Sequence, residues 1–484
     1  MTTIKLDPGA ALLLDALHGA GHAAYAVGGC VRDSLLGLAP HDWDLCTSAR
    51  PEQVMALFGE EKCIPTGLQH GTVTVKQGGR LYETTTFRTE GAYSDGRHPD
   101  AVCFVPDVRE DLARRDFTIN AMAYSDEEGL IDPFGGQDDL AAHLVRAVGE
   151  PERRFEEDAL RILRLYRFAA RFGFAIDPAT GAAARALGPH LDCVSAERIQ
   201  EELLKLLAAP RPGSYLEPAV LAVVLPELEP EKQPERFAEL CRTIDRIEPT
   251  AENVPARLAA LLCPLGEAGA RKALRKLKCS NALTDEVTAL EREAGGGAGS
   301  FLLPRSRDRW AGSSSEDRPL GWDPAAAGSR AGDGMACNSN DRRQWRMQEV
   351  AVGAAASDTQ AMRSGCWEPQ PELVSDQTLM AKRLLGRYEL PTIQRLTALC
   401  SARHPEQTGA FAALRAEAER LTAENACCRV SQLAVNGRDL MAAGVRPGPG
   451  LRQVLNALLE AVITGQTPNE KDALLAAAAQ FSAS

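Results

Sequence analysis

The alternation of apolar and polar positions divides the chain into two regimes. Up to about residue 140, short strand-like runs are interleaved with helical ones. Leu12, Leu13, Ala16 and Leu17 recur at helical spacing after Pro8, with Gly21 as a stop. Ala23 to Val27 is a short run that meets Gly28-Gly29, and Val31 to Leu36 then predicts a helix closed by Gly37. Asp42 to Leu45 predicts a short strand. Thr72 to Lys76 and Arg80 to Arg88 alternate, are rich in β-branched residues, and flank a hairpin turn at Gly78-Gly79. Thr89 to Pro99 holds Gly, Ser, Asp and Pro and reads as a mobile loop. Ile119 to Tyr124 supplies one more ordered segment. The head is α/β or α+β.

From Glu150 onward the period becomes helical. Phe155 to Phe172, Ala196 to Leu207 and Val254 to Leu277 carry apolar residues three and four apart, and Leu451, Leu455, Leu458 and Leu459 share a face further on. The stretch from Gly295 to Pro371 shows no period. It is dense in Gly, Ser, Arg and Asp, which predicts loop or disorder. Yet it holds every tryptophan of the chain except Trp43, and so reads as an insertion or as residues foreign to the fold.

Composition narrows the class without naming a function. A length of 484 residues predicts several domains, and 25% charged residues with 44% hydrophobic ones is a soluble balance. No apolar run is long enough to span a bilayer, and Met1 to Pro8 lacks the pattern of a secretory leader, so a cytoplasmic protein is expected. The cysteines form no C-x-x-C pair and read as reduced thiols filling apolar gaps. A net charge of −12 argues against nonspecific nucleic-acid binding but leaves room for a local basic face.

The candidate chemistry lies in the head. Gly28-Gly29-Cys30-Val31-Arg32-Asp33 follows a strand and opens a helix, so its backbone N–H groups can approach phosphates, and Arg32 can add a charge-assisted bond. Asp42 and Asp44 lie two apart, which in a strand turns both carboxylates to one side and Trp43 to the other. Such a pair repels itself unless a divalent cation intervenes, and phosphoryl transfer uses such pairs to hold Mg²⁺. A third acid is expected at Glu83, on the face of Leu81 and Thr85. Arg114-Arg115-Asp116-Phe117-Thr118-Ile119-Asn120-Ala121 can grip a triphosphate through its arginines, and Asp116 or Asn120 can bond a ribose hydroxyl. Glu157 to Arg164 opens a helix on which Asp158 and Arg161 are neighbours, while Arg164 and Arg167 continue a spiral stripe. Each motif alone has a plainer reading: a turn, a solvated acidic pair, an exposed edge residue, a surface salt bridge.

Taken as an ordered set, these blocks resemble the class II tRNA nucleotidyltransferases, a family shared by CCA-adding enzymes and bacterial poly(A) polymerases. Similarity continues through Ser195 to Leu207, Asn436 to Leu440 and on to Leu459, and covers nearly the whole chain outside Gly295 to Pro371. The resemblance implies a nucleotidyltransferase head of the polymerase-beta type followed by an all-α neck, body and tail. The corresponding expected spans are 1–145 for the head, 146–208 for the neck, 209–294 for the body, 295–371 for the atypical segment and 372–484 for the rest of body and tail. It implies that Asp42, Asp44 and Glu83 bind Mg²⁺, with Asp42 and Asp44 as the principal metal ligands. Glu83 would help activate an RNA 3′-hydroxyl that attacks the α-phosphate of CTP or ATP and expels pyrophosphate. Gly29, Arg32 and Arg115 would cradle the triphosphate. Asp158 and Arg161 would imitate Watson–Crick partners, with Arg164 and Arg167 alongside, and Thr89 to Pro99 would be the family's flexible loop.

The expected partners are the tRNA 3′ end, CTP and ATP, with no membrane and no obligate protein partner. One departure stands out. Ala259-Ala260-Leu261-Leu262-Cys263-Pro264 occupies the place where some relatives carry a His-Asp metal pair, so no phosphohydrolase activity is expected. A poly(A) polymerase, or a CC-only or A-only adding enzyme, is the alternative within the family. A catalytically silent RNA-binding protein and a small-molecule transferase are the alternatives outside it.

Overall fold

A computed structural model describes residues 3–90, 102–295 and 376–482. The loop residues 91–99, the segment 296–371 and its four tryptophans fall outside the described residues. Chain contacts set Pro304–Leu373 apart as a second unit, and everything below concerns the first, Met1–Leu303 with Val374–Ser484.

The head is built on a seven-stranded sheet in the order β3-β4-β5-β2-β1-β8-β9. Its strands are β1 (Ala24–Val27), β2 (Leu45–Thr47), β3 (Cys63–Gly67), β4 (Thr72–Gln77), β5 (Arg80–Thr86), β8 (Ala123–Ser125) and β9 (Gly129–Ile131). A separate ribbon pairs β6 (Arg88–Glu90) with β7 (Val102–Phe104), and β10 (Leu144–Val145) pairs with β11 (Ala175–Ile176). Thr89 and Glu90, expected in a loop, are therefore strand. The β4–β5 hairpin turns at Gly78 and Gly79, with φ of 57° and 80°, a left-handed pair that glycine adopts without Cβ strain.

Period-2 alternation explains the two faces of this sheet. Ala24, Ala26, Leu45, Val73 and Val75 point toward α1 (Pro8–Gly19), α2 (Gly29–Leu35) and α3 (Pro51–Phe58). Tyr25, Val27 and Cys46 point the other way, toward Phe87 and α4 (Val108–Ala113), with α5 (Gly136–Ala141) completing the head. Asp7 caps α1 by accepting from the N–H groups of Gly9 and Ala10 at 3.0 and 3.3 Å, and Pro8 supplies the first helical position.

The remainder is helical. Beyond the head come α6 (Pro151–Glu157), α7 (Leu160–Phe172), α8 (Pro178–Ala186) and α9 (Ala196–Leu207). Then follow α10 (Pro218–Val224), α11 (Pro234–Arg246), α12 (Val254–Leu262), α13 (Gly266–Lys276) and α14 (Asn281–Ala294). After the undescribed stretch come α15 (Asp376–Arg387), α16 (Leu390–Arg403), α17 (Thr408–Ala423), α18 (Gly437–Ala442), α19 (Pro449–Ile463) and α20 (Lys471–Ser482). One apolar core runs from α1 through α17, and α18 to α20 close around a smaller one at Leu440, Leu458 and Leu474. Each fully buried leucine contributes about 1.5–3 kcal/mol. No described helix is long and apolar enough to cross a membrane.

Two helical expectations break in instructive places. The run 155–172 is split at Asp158, whose backbone is extended (φ −148°, ψ 102°), so α6 stops and α7 starts anew. The run 254–277 is split by a 3₁₀ turn at Cys263–Leu265, where Pro264 cannot extend the ladder.

Arg257 on α12 is fully buried and, among the described residues, faces no carboxylate at hydrogen-bond distance. Its guanidinium donates to the carbonyls of Leu207 (2.7 Å), Ala209 (2.5 Å) and Ile247 (2.5 and 3.1 Å). These carbonyls end α9 and α11, where helix dipoles present partial negative charge.

Candidate active site

The site begins where β1 runs into α2. Gly28 has φ 77° and ψ −121°, and a Cβ there would stand 2.9 Å from Nη1 of Arg115. Glycine is thus required for the backbone and for the approach of the guanidinium. Its N–H donates to the Met122 carbonyl at 3.1 Å, fixing the turn against β8. The first N–H groups of α2 have no helical acceptors and face outward from this turn.

The acids come from the adjoining strands. The N–H of Val27 donates to the Asp44 carbonyl at 2.9 Å, so Asp44 extends the β1–β2 ladder one residue ahead of Leu45. Strand β2 therefore begins later than expected, and Asp42 and Trp43 lie in the preceding loop. The alternation holds nevertheless: Trp43 is buried in the core, whereas Asp42 and Asp44 are exposed. Strands β2 and β5 are parallel with Leu45 opposite Thr84, and one step back along the register brings Asp44 beside Glu83. Glu83 is exposed, on the face of Leu81 and Thr85.

The Asp44 carboxyl is pushed up to about 6 by burial, then by the charges of Glu83 and Asp42, with Arg115 opposing them. The Asp44 side chain is nevertheless exposed. Among the described residues, no three His, Cys, Asp or Glu side chains are yet gathered closely enough to enclose an ion. Asp42, with 88% of its side chain exposed and His41 at 3.6 Å, points outward. The donor set still fits a hard divalent cation: mutually repelling oxygens of which Asp44 and Glu83 lie on neighbouring strands. In metal-free protein, carboxyl NMR should find Asp44 titrating near pH 6, protonated below and ionised above. Glu83→Gln should move that midpoint down and Arg115→Gln should move it up. A midpoint near 4 that ignores both changes would mean the charges do not meet.

Arg115 joins the two halves. It lies over Gly28, faces Asp44, and reaches Oδ2 of Asp111 at 3.4 Å, while its Nε has no partner among the described residues. Asp111 is buried. Burial alone would raise its pKa, and Arg114 and Arg115 more than offset that. Arg32 is placed differently from the expectation of a phosphate hook. It is 4% exposed, its Nε and Nη2 engage Asp33 at 2.8 and 2.7 Å, and Nη1 donates to Asn120 at 2.5 Å. Phe168 and Phe172 flank it at 5.2 and 4.9 Å. One hydrogen on each Nη remains for a ligand.

The neck side chains form a network that sequence spacing mispaired. Asp158 does not meet Arg161. Its Oδ1 accepts from the Leu160 N–H at 3.1 Å and its Oδ2 from Arg198 at 2.8 Å. Arg161 instead donates to Glu157 (2.8 Å) and to the carbonyls of Arg154 and Arg114 (both 3.1 Å). Arg164 makes a two-pronged bond to Asp116 at 2.6 and 2.8 Å, and Arg167 meets Glu202 at 2.5 Å. Asp116 also accepts from Asn120 (3.0 Å) and the Phe117 N–H (2.8 Å), so Asp116 and Asn120 are spent inside the protein rather than free for a ribose. Arg198 and Glu202 were not singled out from the sequence. The usable signal was a charge on an apolar face, since Glu202 is buried among Ile199, Leu203 and Leu206. Ala259 to Leu262, in place of a His-Asp pair, are buried core residues of α12.

Comparison with known proteins gives the family. Residues 24–146 match a family model described as the poly A polymerase head domain, and 389–478 match tRNA nucleotidyltransferase domain 2. Residues 173–231 match one described as "Probable RNA and SrmB-binding site of polymerase A". The chain is 33% identical to the CCA-adding enzyme of Limosilactobacillus fermentum, over 97% of this chain and 96% of that one. It is also 33% identical to that of Levilactobacillus brevis, over 96% of each. The solved structure of the Bacillus stearothermophilus CCA-adding enzyme in complex with CTP superposes with a TM-score of 0.70 at 30% identity, covering 98% of both chains. That of the Thermotoga maritima enzyme complexed with tRNA shares the fold at a TM-score of 0.59 and 19% identity, over 98% of this chain and 96% of that one.

Proposed function

Because the chain belongs to the CCA-adding enzyme family of tRNA nucleotidyltransferases, we propose that it adds C, C and A to the 3′ end of tRNA from CTP and ATP without a nucleic-acid template. The observation that carries this reading is the meeting of Asp44, Glu83 and Arg115 beside the Gly28-Gly29 turn. The proposed partition keeps 1–145 as head, 146–208 as neck, and the helices beyond as body and tail.

Asp42 and Asp44, with Glu83, would hold Mg²⁺, which when bound supplies Lewis-acid activation of the hydroxyl and neutralises charge at the α-phosphate. Glu83, beside Asp44 on the neighbouring strand, would help activate the RNA 3′-hydroxyl. The N–H groups after Gly28 receive the triphosphate, Arg115 answers its charge, and Arg32 reaches it only through its two remaining hydrogens. Asp158, oriented by Arg198 and the Leu160 N–H, keeps acceptor capacity for an exocyclic amine. Arg161 keeps Nε and one Nη2 hydrogen for a ring nitrogen or carbonyl. Cytosine and adenine both offer an amine beside an acceptor. Guanine or uracil would leave buried groups unpaired at about 1–3 kcal/mol each. Arg164 and Arg167, held by Asp116 and Glu202, stiffen the helix that carries this pair.

The test is incubation with Mg²⁺, a tRNA lacking its 3′ end, and each labelled nucleotide. Two C residues and then one A are expected. Long A tails would transfer the reading to a poly(A) polymerase, and no incorporation would remove it. Asp158→Ala should erode discrimination against GTP and UTP by about 10- to 100-fold, in line with that unpaired-group cost. Unchanged selection would unseat Asp158 as the base reader.

A further inference from the structure

Away from the acids, a half-open cavity of about 300 Å³ lies between α7, α8 and the turn that leads into α10. Tyr166 of α7 lines it, is 5% exposed, and holds its hydroxyl sealed from solvent with no partner among the described residues. A buried hydroxyl without a partner is rarely left so in a folded chain. Glu217 and Arg185 act on this phenol electrostatically, and they face each other across the rim at 3.7 Å. Arg185 folds back over Gly181, where a Cβ would stand 3.6 Å from its Nη1. Asp177, also in the lining, is spent on Arg146 at 2.8 Å and Thr180 at 2.9 Å. The remaining wall is mostly apolar, with Tyr215 as a second aromatic and Ser214 as a further hydroxyl.

We propose that this cavity receives one unstacked nucleotide of the bound RNA, with its base against Tyr166 and Tyr215 and its phosphate at Arg185. The inference rests on the tRNA-extending function proposed above and adds a subsite remote from the acids. The cavity lies at the small end of the roughly 300–1,000 Å³ typical of ligand pockets, a size for one nucleoside. Single nucleotides out of the stack are what proteins read in RNA, through aromatic faces and base edges. Glu217 as acceptor beside the Tyr166 hydroxyl suits a base bearing an exocyclic amine. With Asp177 spent, Glu217 is the acid left at the mouth, and Arg185 is matched to a single phosphate. Apart from Tyr166, the lining lies within 173–231, the stretch that matches an RNA-binding family model. Tyr166 shares α7 with Arg161, Arg164 and Arg167, so a seated nucleotide would press on the helix that faces the incoming base.

Tyr166→Phe in the full chain separates this idea from a packing role. With a tRNA transcript lacking its 3′ CCA as probe, binding by fluorescence anisotropy should weaken about five- to tenfold. The melting temperature should hold or rise, because the substitution removes an orphaned hydroxyl. Arg185→Gln should weaken binding and lower the salt slope by about one ion. Binding by Tyr166→Phe equal to the unaltered protein would overturn the proposal. A transcript substituted with 8-azidoadenosine, which keeps the exocyclic amine, should cross-link to the peptides holding Tyr166 or Tyr215, and cross-links confined to other parts of 173–231 would overturn it too. AMP protecting the cavity where tRNA does not would make it a free-nucleotide site and equally sink the RNA reading. Extension of the tRNA by unaltered protein, run alongside, distinguishes the two levels. Failure there removes the function, whereas normal extension with unchanged Tyr166→Phe binding removes only the subsite.

Discussion

Asp44→Ala is expected to lower nucleotide addition by roughly 10³-fold or more while leaving the fold intact. Asp44 is the residue both halves of the site share: Glu83 and Asp42 raise its pKa, and Arg115 lowers it. Among the described residues its carboxylate accepts no hydrogen bond, so its removal leaves no internal donor stranded. Relief of like-charge crowding should hold the melting temperature level or lift it slightly. Single-turnover incorporation of CTP onto a truncated tRNA, read with thermal unfolding of the same preparation, gives both quantities. Retention of more than about a tenth of the activity would exclude Asp44 as a ligand of any ion the chemistry needs.

Asp116→Ala should lower stability by about 1–3 kcal/mol, because it removes a buried carboxylate from Arg164, which is a third exposed, and strands the Asn120 amide. Asp116 is 8% exposed, and its two oxygens hold Arg164, Asn120 and the Phe117 N–H. Glu202, the other acid near Arg164 at 4.0 Å, is already engaged by Arg167 at 2.5 Å. Burial would raise the Asp116 pKa, but Arg164 and Asn120 carry it well below the usual value of 3.8. A depressed carboxylate contributes stability above its unfolded pKa and loses it as pH falls through the folded one. The gap between variant and parent in urea unfolding should therefore stay constant from pH 8 to 5 and close only on acidification below about 4. A loss under about 1 kcal/mol would mean that Arg164 finds another partner or water.

The parts of the site that follow from local rules were legible in the chain. Gly28-Gly29 after a strand, Trp43 between two outward acids, and the glycine turn of the β4–β5 hairpin all depend on periods of two or on φ > 0, which neighbouring residues dictate. Glu83 was expected as the third acid from its strand context, but its register against Asp44 was not legible, because strand register is set by tertiary contacts rather than by spacing. Helical arithmetic went wrong at Asp158. Three residues apart makes neighbours only inside an unbroken helix, and the extended backbone there hands Asp158 to Arg198 and Arg161 to Glu157. Arg32 misled in another way. The glycine loop pointed it toward phosphates, whereas Asp33, Asn120 and two phenylalanine rings claim it from three different elements.

The guanidinium of Arg257 has a mechanical consequence. By gripping the last carbonyls of two helices at once, it rivets the end of α9 to the helices that follow. Removal of that guanidinium would leave the carbonyls of Leu207, Ala209 and Ile247 without their donor, and the end of α9 would loosen from α11 and α12.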